Sequence, residues 1–250
     1  MIRTFKKLIK NIILHIIAKI PIEWKFAWTR VQGVILLKPG SVERAAQYEF
    51  LFKAFKVLKF NGIDGDYAEF GCFSGVTFAF AYHIAKKLDI KTHFWAIDSF
   101  CGLPPQQTTA DEHQKWVAGT MAIGIDKFHQ ACKARGLSIR DYSIIEGYYE
   151  ECLSKLAESD QPVNISLAYV DCDLYSSTKA VLNFLRPRLK HGMIIAFDDY
   201  FCWSDTQSAG EKRALLEFLN ENENWIFTPY LTFGWHGNSF VVEKNDSTGS

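Results

Sequence analysis

The chain has 250 residues, 48% of them apolar, with 28 Lys and Arg against 28 Asp and Glu. That is enough for one large domain or two small ones, and a net charge of zero offers no electrostatic footprint for nucleic acid. The six cysteines, Cys72, Cys101, Cys132, Cys152, Cys172 and Cys202, are dispersed, with no CxxC pair and no Cys/His ligand spacing. They argue against zinc and against a disulfide framework, and as reduced thiols they fit a cytoplasmic location.

The chain begins "MIRTFKKLIKNIILHIIAKI", which sets Ile9, Ile12, Ile13, Ile16 and Ile17 at helical spacing beside Lys6, Lys7 and Lys10. The run is too short and too charged to span a bilayer, and it lacks a small-residue cleavage site. Residues 1–40 read as an amphipathic helical extension. It could pack on the body, pair two chains as a homodimer, or make peripheral contact with a membrane. Ser41 then reads as the N-cap of a helix through about Phe60, with Glu43 in its first turn. Residues 41–244 form the main domain, and the closing "NDSTGS", 245–250, reads as a disordered tail.

From Asp66 strands and helices alternate. Strands are expected at "DYAEFG", "THFWAID", "YSIIEG", "ISLAYVD", "MIIAFDD", "NWIFTPYLTF" and "NSFVVEK", with helices between. Such alternation predicts an α/β fold with a mostly parallel sheet covered on both faces, and the unalternating apolar strands agree. Ligands of these sheets bind beyond the carboxyl ends of the strands, near the topological switch point. Acids collect there: Glu69, Asp98, Glu146, Asp171, Asp198 and Asp199 all lie at or near predicted strand ends.

"EFGCFSGVT" turns from the first strand into a helix, and Gly71 and Gly75 permit a tight turn and close backbone approach to a ligand. It is not a GxGxxG dinucleotide fingerprint. "AIDSFCGLPP" puts Asp98 at the next strand end, where a carboxylate can accept hydrogen bonds from ribose hydroxyls. "DCDLY" and "FDDY" bring Asp171, Asp198 and Asp199 to adjacent strand ends, and a hard divalent cation such as Mg²⁺ would resolve their repulsion. Asp173 reads as a helix-start residue. The long segment from Leu103 to Ile125 is lid-like and carries His113. His236, in "FGWHG", is a second loop histidine that could face a substrate.

These motifs, "DYAEFGCFSG", "AIDSFCGLP", "EGYYEECL", "DCDLYSSTKAVLNFLRPRLKHG" and "FDDY", resemble the macrocin O-methyltransferase (TylF/MycF/NovP) family. The resemblance implies a class I methyltransferase (Rossmann-like) fold, a seven-stranded sheet with the last strand antiparallel. It implies S-adenosylmethionine as methyl donor, Mg²⁺ on Asp171, Asp198 and Asp199, and a sugar hydroxyl as acceptor. Glu69, Gly71 and Asp98 would lie against the cofactor, with Ser74 and Gly75 in the same turn. Ser99, Gly147 and Tyr148 would border the adenine. Asp171 would be ligand and base, with His113 in reserve. The chain departs from the family where "WRGG" reads "FSGV", which replaces arginine with Ser74 and glycine with Val76. Two other readings stand beside this one: a metal-dependent glycosyltransferase using the DxD at 171–173, and a catalytically silent assembly partner.

Overall fold

The computed structural model describes Trp24, residues 39–203 and residues 209–245. Apart from Trp24, the expected N-terminal extension through Leu37 and Lys38 lies outside the described residues, as does the tail beyond Asn245. The first described helix, α1 (Pro39–Asn61), starts two residues before the expected cap. Proline suits a first helical turn, where an N–H would lack a partner, so Ser41 lies inside the helix. Phe50, Leu51, Ala54, Phe55 and Leu58 form its buried stripe.

The elements that follow are β1 (Asp66–Phe70), α2 (Val76–Lys87), β2 (Phe94–Asp98), α3 (Ile125–Ala134), β3 (Tyr142–Glu146) and α4 (Tyr149–Cys152). Then come β4 (Ile165–Val170), α5 (Tyr175–Leu185), β5 (Ile194–Phe197), α6 (Gly210–Asn220), β6 (Trp225–Phe233) and β7 (Gly237–Lys244). The seven strands order as β3-β2-β1-β4-β5-β7-β6. The first five are parallel, and β7 runs antiparallel between β5 and β6. Every residue of β4 and β5 is buried, which explains why these strands are continuous apolar runs. One core layer packs α1, α2 and α3 on the face of Tyr67 and Tyr169. The other packs α5 and α6 on the face of Phe70, Val170 and Phe197. Among the described residues no helix is long and apolar enough to cross a membrane.

The chain builds outward from β1 to β3 and returns to β4, so the switch point falls between β1 and β4. Phe70 is in register with Ile97 and Val170, and Val170 with Phe197. One residue further on, Asp98, Gly71, Asp171 and Asp198 therefore form one row along the carboxyl edge. Gly71 has φ +92, and a Cβ there would meet the Asp171 carbonyl oxygen at 1.8 Å. The two central strand ends abut so closely that only glycine fits.

Candidate active site

A cavity of about 360 Å³ opens above this row, within the size range of small-molecule sites. One wall is built from Gly71, Phe73, Asp98, Ser99 and Tyr148, at the ends of β1, β2 and β3. The opposite wall carries Asp171, Asp173, Asp198, Asp199 and His236. α1 and the 103–124 segment contribute Gln47 and Trp116 at the sides.

Asp98 organises the first wall. Its Oδ2 accepts from the backbone N–H of Cys72 at 2.7 Å and Phe73 at 3.0 Å, and its Oδ1 from Phe100 N–H at 2.7 Å. The carboxylate thus ties the glycine turn to the end of β2, as three charge-assisted bonds. Ser99 Oγ donates to the Gly102 carbonyl at 2.8 Å, which folds the next turn.

On the acidic wall, ligating atoms of Asp171, Asp173 and Asp199 lie within 4.8 Å of one another. Those of Asp198, Asp199 and His236 do likewise, so Asp199 belongs to both groups. Burial first, and the Asp199 carboxylate second, raise the proton affinities of Asp173, Asp198 and Glu211. Burial and then Asp198 do the same for Asp171. Asp198 Oδ1 accepts from Gln47 Nε2 at 2.9 Å and from the Tyr169 hydroxyl. His236 Nδ1 lies 2.5 Å from the Asp198 carbonyl. A carbonyl only accepts, so Nδ1 carries a proton. Beneath the wall, buried Glu211 accepts from Cys172 N–H at 3.1 Å and Asp199 N–H at 2.8 Å, which clamps the segments following β4 and β5 together.

The macrocin O-methyltransferase (TylF) family model matches residues 44–226, well over half the chain. The chain belongs to the macrocin O-methyltransferase family. Among curated proteins it is similar to the Streptomyces olivaceus 8-demethyl-8-(2,3-dimethoxy-alpha-L-rhamnosyl)-tetracenomycin-C 4'-O-methyltransferase, at 26% identity over 56% of this chain and 54% of the relative. The chain thus spans about half the length of that relative. Among solved structures it resembles the O-methyltransferase NovP, with TM-score 0.67, 18% identity, and 80% and 81% of the two chains covered. It also resembles CalS11, the calicheamicin methyltransferase, with TM-score 0.65, 21% identity, and 84% and 85% covered. These likenesses show the class I methyltransferase fold.

Against the family pattern, the predicted residues separate. Gly71, Asp98, Ser99, Tyr148, Asp171, Asp198 and Asp199 all line the cavity. Glu69 does not: it is buried beneath, where it accepts from the Tyr67 hydroxyl, and burial raises its pKa to about 8. Depth explains this: Glu69 lies two residues below the edge row, level with Ala96, on the sheet face that α1, α2 and α3 cover. Gly75 is also below the surface. It opens α2 in the left-handed conformation, and a Cβ there would meet Phe128 at 3.0 Å and Cys132 at 3.3 Å. Ser74 and Gly147 stand outside the lining, and Gly147 instead donates its N–H to the Asp98 carbonyl at 3.0 Å. His113 is also outside it, stacked on Trp116 at 4.6 Å between ring centroids.

Asp173 corrects the sequence reading. Leu174, not Asp173, is the N-cap of α5. Asp173 adopts φ +62 and is buried among the acids. The cap of α5 comes from a distance: Asp111 Oδ1 accepts from Ser176 N–H at 2.8 Å and Ser176 Oγ at 3.0 Å. Sequence reasoning also missed Glu211 and Gln47. Of these only Gln47 left a trace, as a polar position within the buried stripe of α1.

Proposed function

We propose that this protein is an S-adenosylmethionine- and Mg²⁺-dependent O-methyltransferase acting on a hydroxyl of a sugar or glycosylated natural product. The observation that carries the proposal is one cavity joining the glycine-turn wall to the carboxylate wall, in a chain of this family. The cofactor would lie over Gly71 with its ribose toward Asp98 and its adenine toward Ser99 and Tyr148. Asp98 already holds three backbone N–H groups, and its remaining lone pair is the one left for a ribose hydroxyl.

The carboxylate oxygens that converge in two groups sharing Asp199 are hard donors that fit Mg²⁺. Asp171, Asp198 and Asp199 would hold the ion, with Asp173 beside them. Bound there, it would polarise the acceptor hydroxyl and lower its pKa. Asp171, which lines this wall at the end of β4, would take the hydroxyl proton as the acceptor oxygen attacks the methyl group. His236 also lines this wall, whereas His113 lies outside the lining. Gln47 and Tyr169 hold the Asp198 carboxylate in one orientation. Holding acceptor oxygen and methyl group in line at this wall would add the advantage of a bound, oriented pair.

A sugar acceptor draws support from the names of the relatives: one acts on a rhamnosylated tetracenomycin, and CalS11 is a TDP-rhamnose 3'-O-methyltransferase. The glycosyltransferase alternative keeps one observation in its favour, the convergence of Asp171 and Asp173, but family membership weighs against it.

Incubation with S-adenosylmethionine, Mg²⁺ and a panel of nucleotide sugars and glycosides, read by mass spectrometry, should give a product one methyl heavier. Asp199→Asn should lower both turnover and Mg²⁺ affinity by more than the roughly 10- to 100-fold typical of an outer-shell change. Thermal stabilisation by nucleotide sugars but not by S-adenosylhomocysteine would overturn the methyltransferase reading in favour of glycosyl transfer. Binding of neither ligand class would point to the silent assembly partner.

A further inference from the structure

The cavity sets six carboxylates, Glu43, Asp98, Asp171, Asp173, Asp198 and Asp199, around one guanidinium, and Arg44 is the sole Lys or Arg among its described lining residues. Arg44 stands on α1, half-buried. Its Nη1 donates to Gln47 Oε1 at 3.2 Å. Among the described residues no ion pair engages it. The adjacent Glu43 is committed elsewhere, accepting from Trp235 Nε1 at 2.9 Å. A partly desolvated cation with donors left open, facing a cavity, is the arrangement that an anionic ligand group completes.

The location identifies the group. α1 packs on α2, the helix that the glycine turn after β1 opens, where Tyr48 meets Phe80 edge-on at 5.3 Å between ring centroids, and the charge of Arg44 is felt by Glu69 in β1. Arg44 therefore lies toward the β1 side of the cavity, whereas Gln47, one turn on, reaches Asp198. The turn after β1 has no basic side chain of its own, since Phe73, Ser74 and Val76 occupy it. With adenosine at the ends of β2 and β3 and the reactive methyl facing the acidic wall, the amino-acid end of the cofactor must run past β1 toward α1. We infer that Arg44 binds the α-carboxylate of the cofactor's methionine portion, a role that rests on the methyltransferase reading above. The planar fork of arginine matches a carboxylate with two parallel hydrogen bonds. α1 thereby supplies a cation that the glycine turn lacks.

Calorimetry on the full chain with two ligands tests this. S-adenosylhomocysteine keeps the carboxylate, and 5′-methylthioadenosine lacks the amino-acid end. For Arg44→Gln, S-adenosylhomocysteine affinity should fall about 10- to 100-fold, the usual weight of a charge-assisted pair, with 5′-methylthioadenosine affinity unchanged. Arg44→Lys keeps the charge without the fork and should lose an intermediate amount, so it carries the test if Arg44→Gln does not fold. Equal losses for both ligands would overturn the assignment and make Arg44 a shaper of the pocket. Unchanged S-adenosylhomocysteine binding with a raised KM for the acceptor would overturn it in favour of an acidic group on the acceptor. Failure of the wild type to bind either ligand is a separate result, and it would overturn the methyltransferase reading itself.

Discussion

Glu69 and Gly71, two residues apart, show what single positions contribute at the edge of the sheet. Glu69 is buried with the Tyr67 hydroxyl on its carboxyl, and its pKa rises to about 8 because burial penalises the charge. A carboxyl whose proton affinity is higher folded than unfolded stabilises the fold below its unfolded pKa, and that contribution fades as pH climbs toward about 8. Glu69→Gln, which stays neutral and can still accept from Tyr67, should flatten the fall in melting temperature between roughly pH 5 and pH 8. In a chain of this size each kcal/mol amounts to about 2–4 °C. An unchanged slope in a pH series of thermal melts would refute the assignment. Gly71→Ala meets the Asp171 carbonyl at 1.8 Å in a left-handed backbone. We expect a loss beyond about 3 kcal/mol, the tail of point-mutant effects, seen as insoluble or molten protein by circular dichroism.

Secondary-structure elements meet the site through two buried carboxylates that the sequence left unmarked. Asp111 holds the 103–124 segment to the start of α5. Its Oδ2 accepts from Gln107 and Thr108 N–H at 3.0 and 2.9 Å, while Oδ1 caps Ser176. Asp111→Ala removes both sets of bonds, so it should cost about 1–2 kcal/mol for the cap alone in urea denaturation. It should also speed hydrogen exchange across 103–124. Glu211, in the first turn of α6, clamps Cys172 and Asp199 together and so fixes the spacing between Asp171 and Asp199. Glu211→Gln leaves one acceptor for two donors. Calorimetric Mg²⁺ affinity should fall by roughly 10- to 100-fold, as for other partners that orient ligands. A loss of melting temperature with Mg²⁺ affinity intact would reduce Glu211 to a structural clamp.

Across the whole molecule, the carboxyl edge stores repulsion that protons or a cation can relieve. Asp171, Asp173, Asp198 and Glu211 all have raised proton affinities, from burial and from one another. Without metal, stability should therefore decline as pH rises above the ordinary carboxylate range. Mg²⁺ competes with those protons, so its stabilising effect should be larger at pH 8 than at pH 5. Melting curves with and without Mg²⁺ at the two pH values measure the difference, and an equal shift at both would argue against binding at the acids.

Much of the fold was legible because its causes are local. Alternating apolar runs and helix-period segments define all seven strands, and acids at the ends of parallel strands mark the ligand edge. Asp98, Asp171, Asp198 and Asp199 could be named for that reason. What local pattern could not decide was which end-of-strand acid faces the cavity. Glu69 and Asp98 look alike in sequence, yet the register sets Glu69 two residues below the edge, level with Ala96, and Asp98 on the edge itself. Asp173 reads as a helix cap until the chain's left-handed turn folds it into the acid cluster. Arg44, Gln47, Asp111 and Glu211 reach the site from segments far away in sequence, so only tertiary packing brings them there. The sequence by itself determined the sheet, the carboxyl edge over which the cavity opens and the acids along it, since these follow from hydrophobic periodicity and strand ends. The tertiary structure decided the partners of those acids, because orientation and burial depend on contacts that no local spacing encodes.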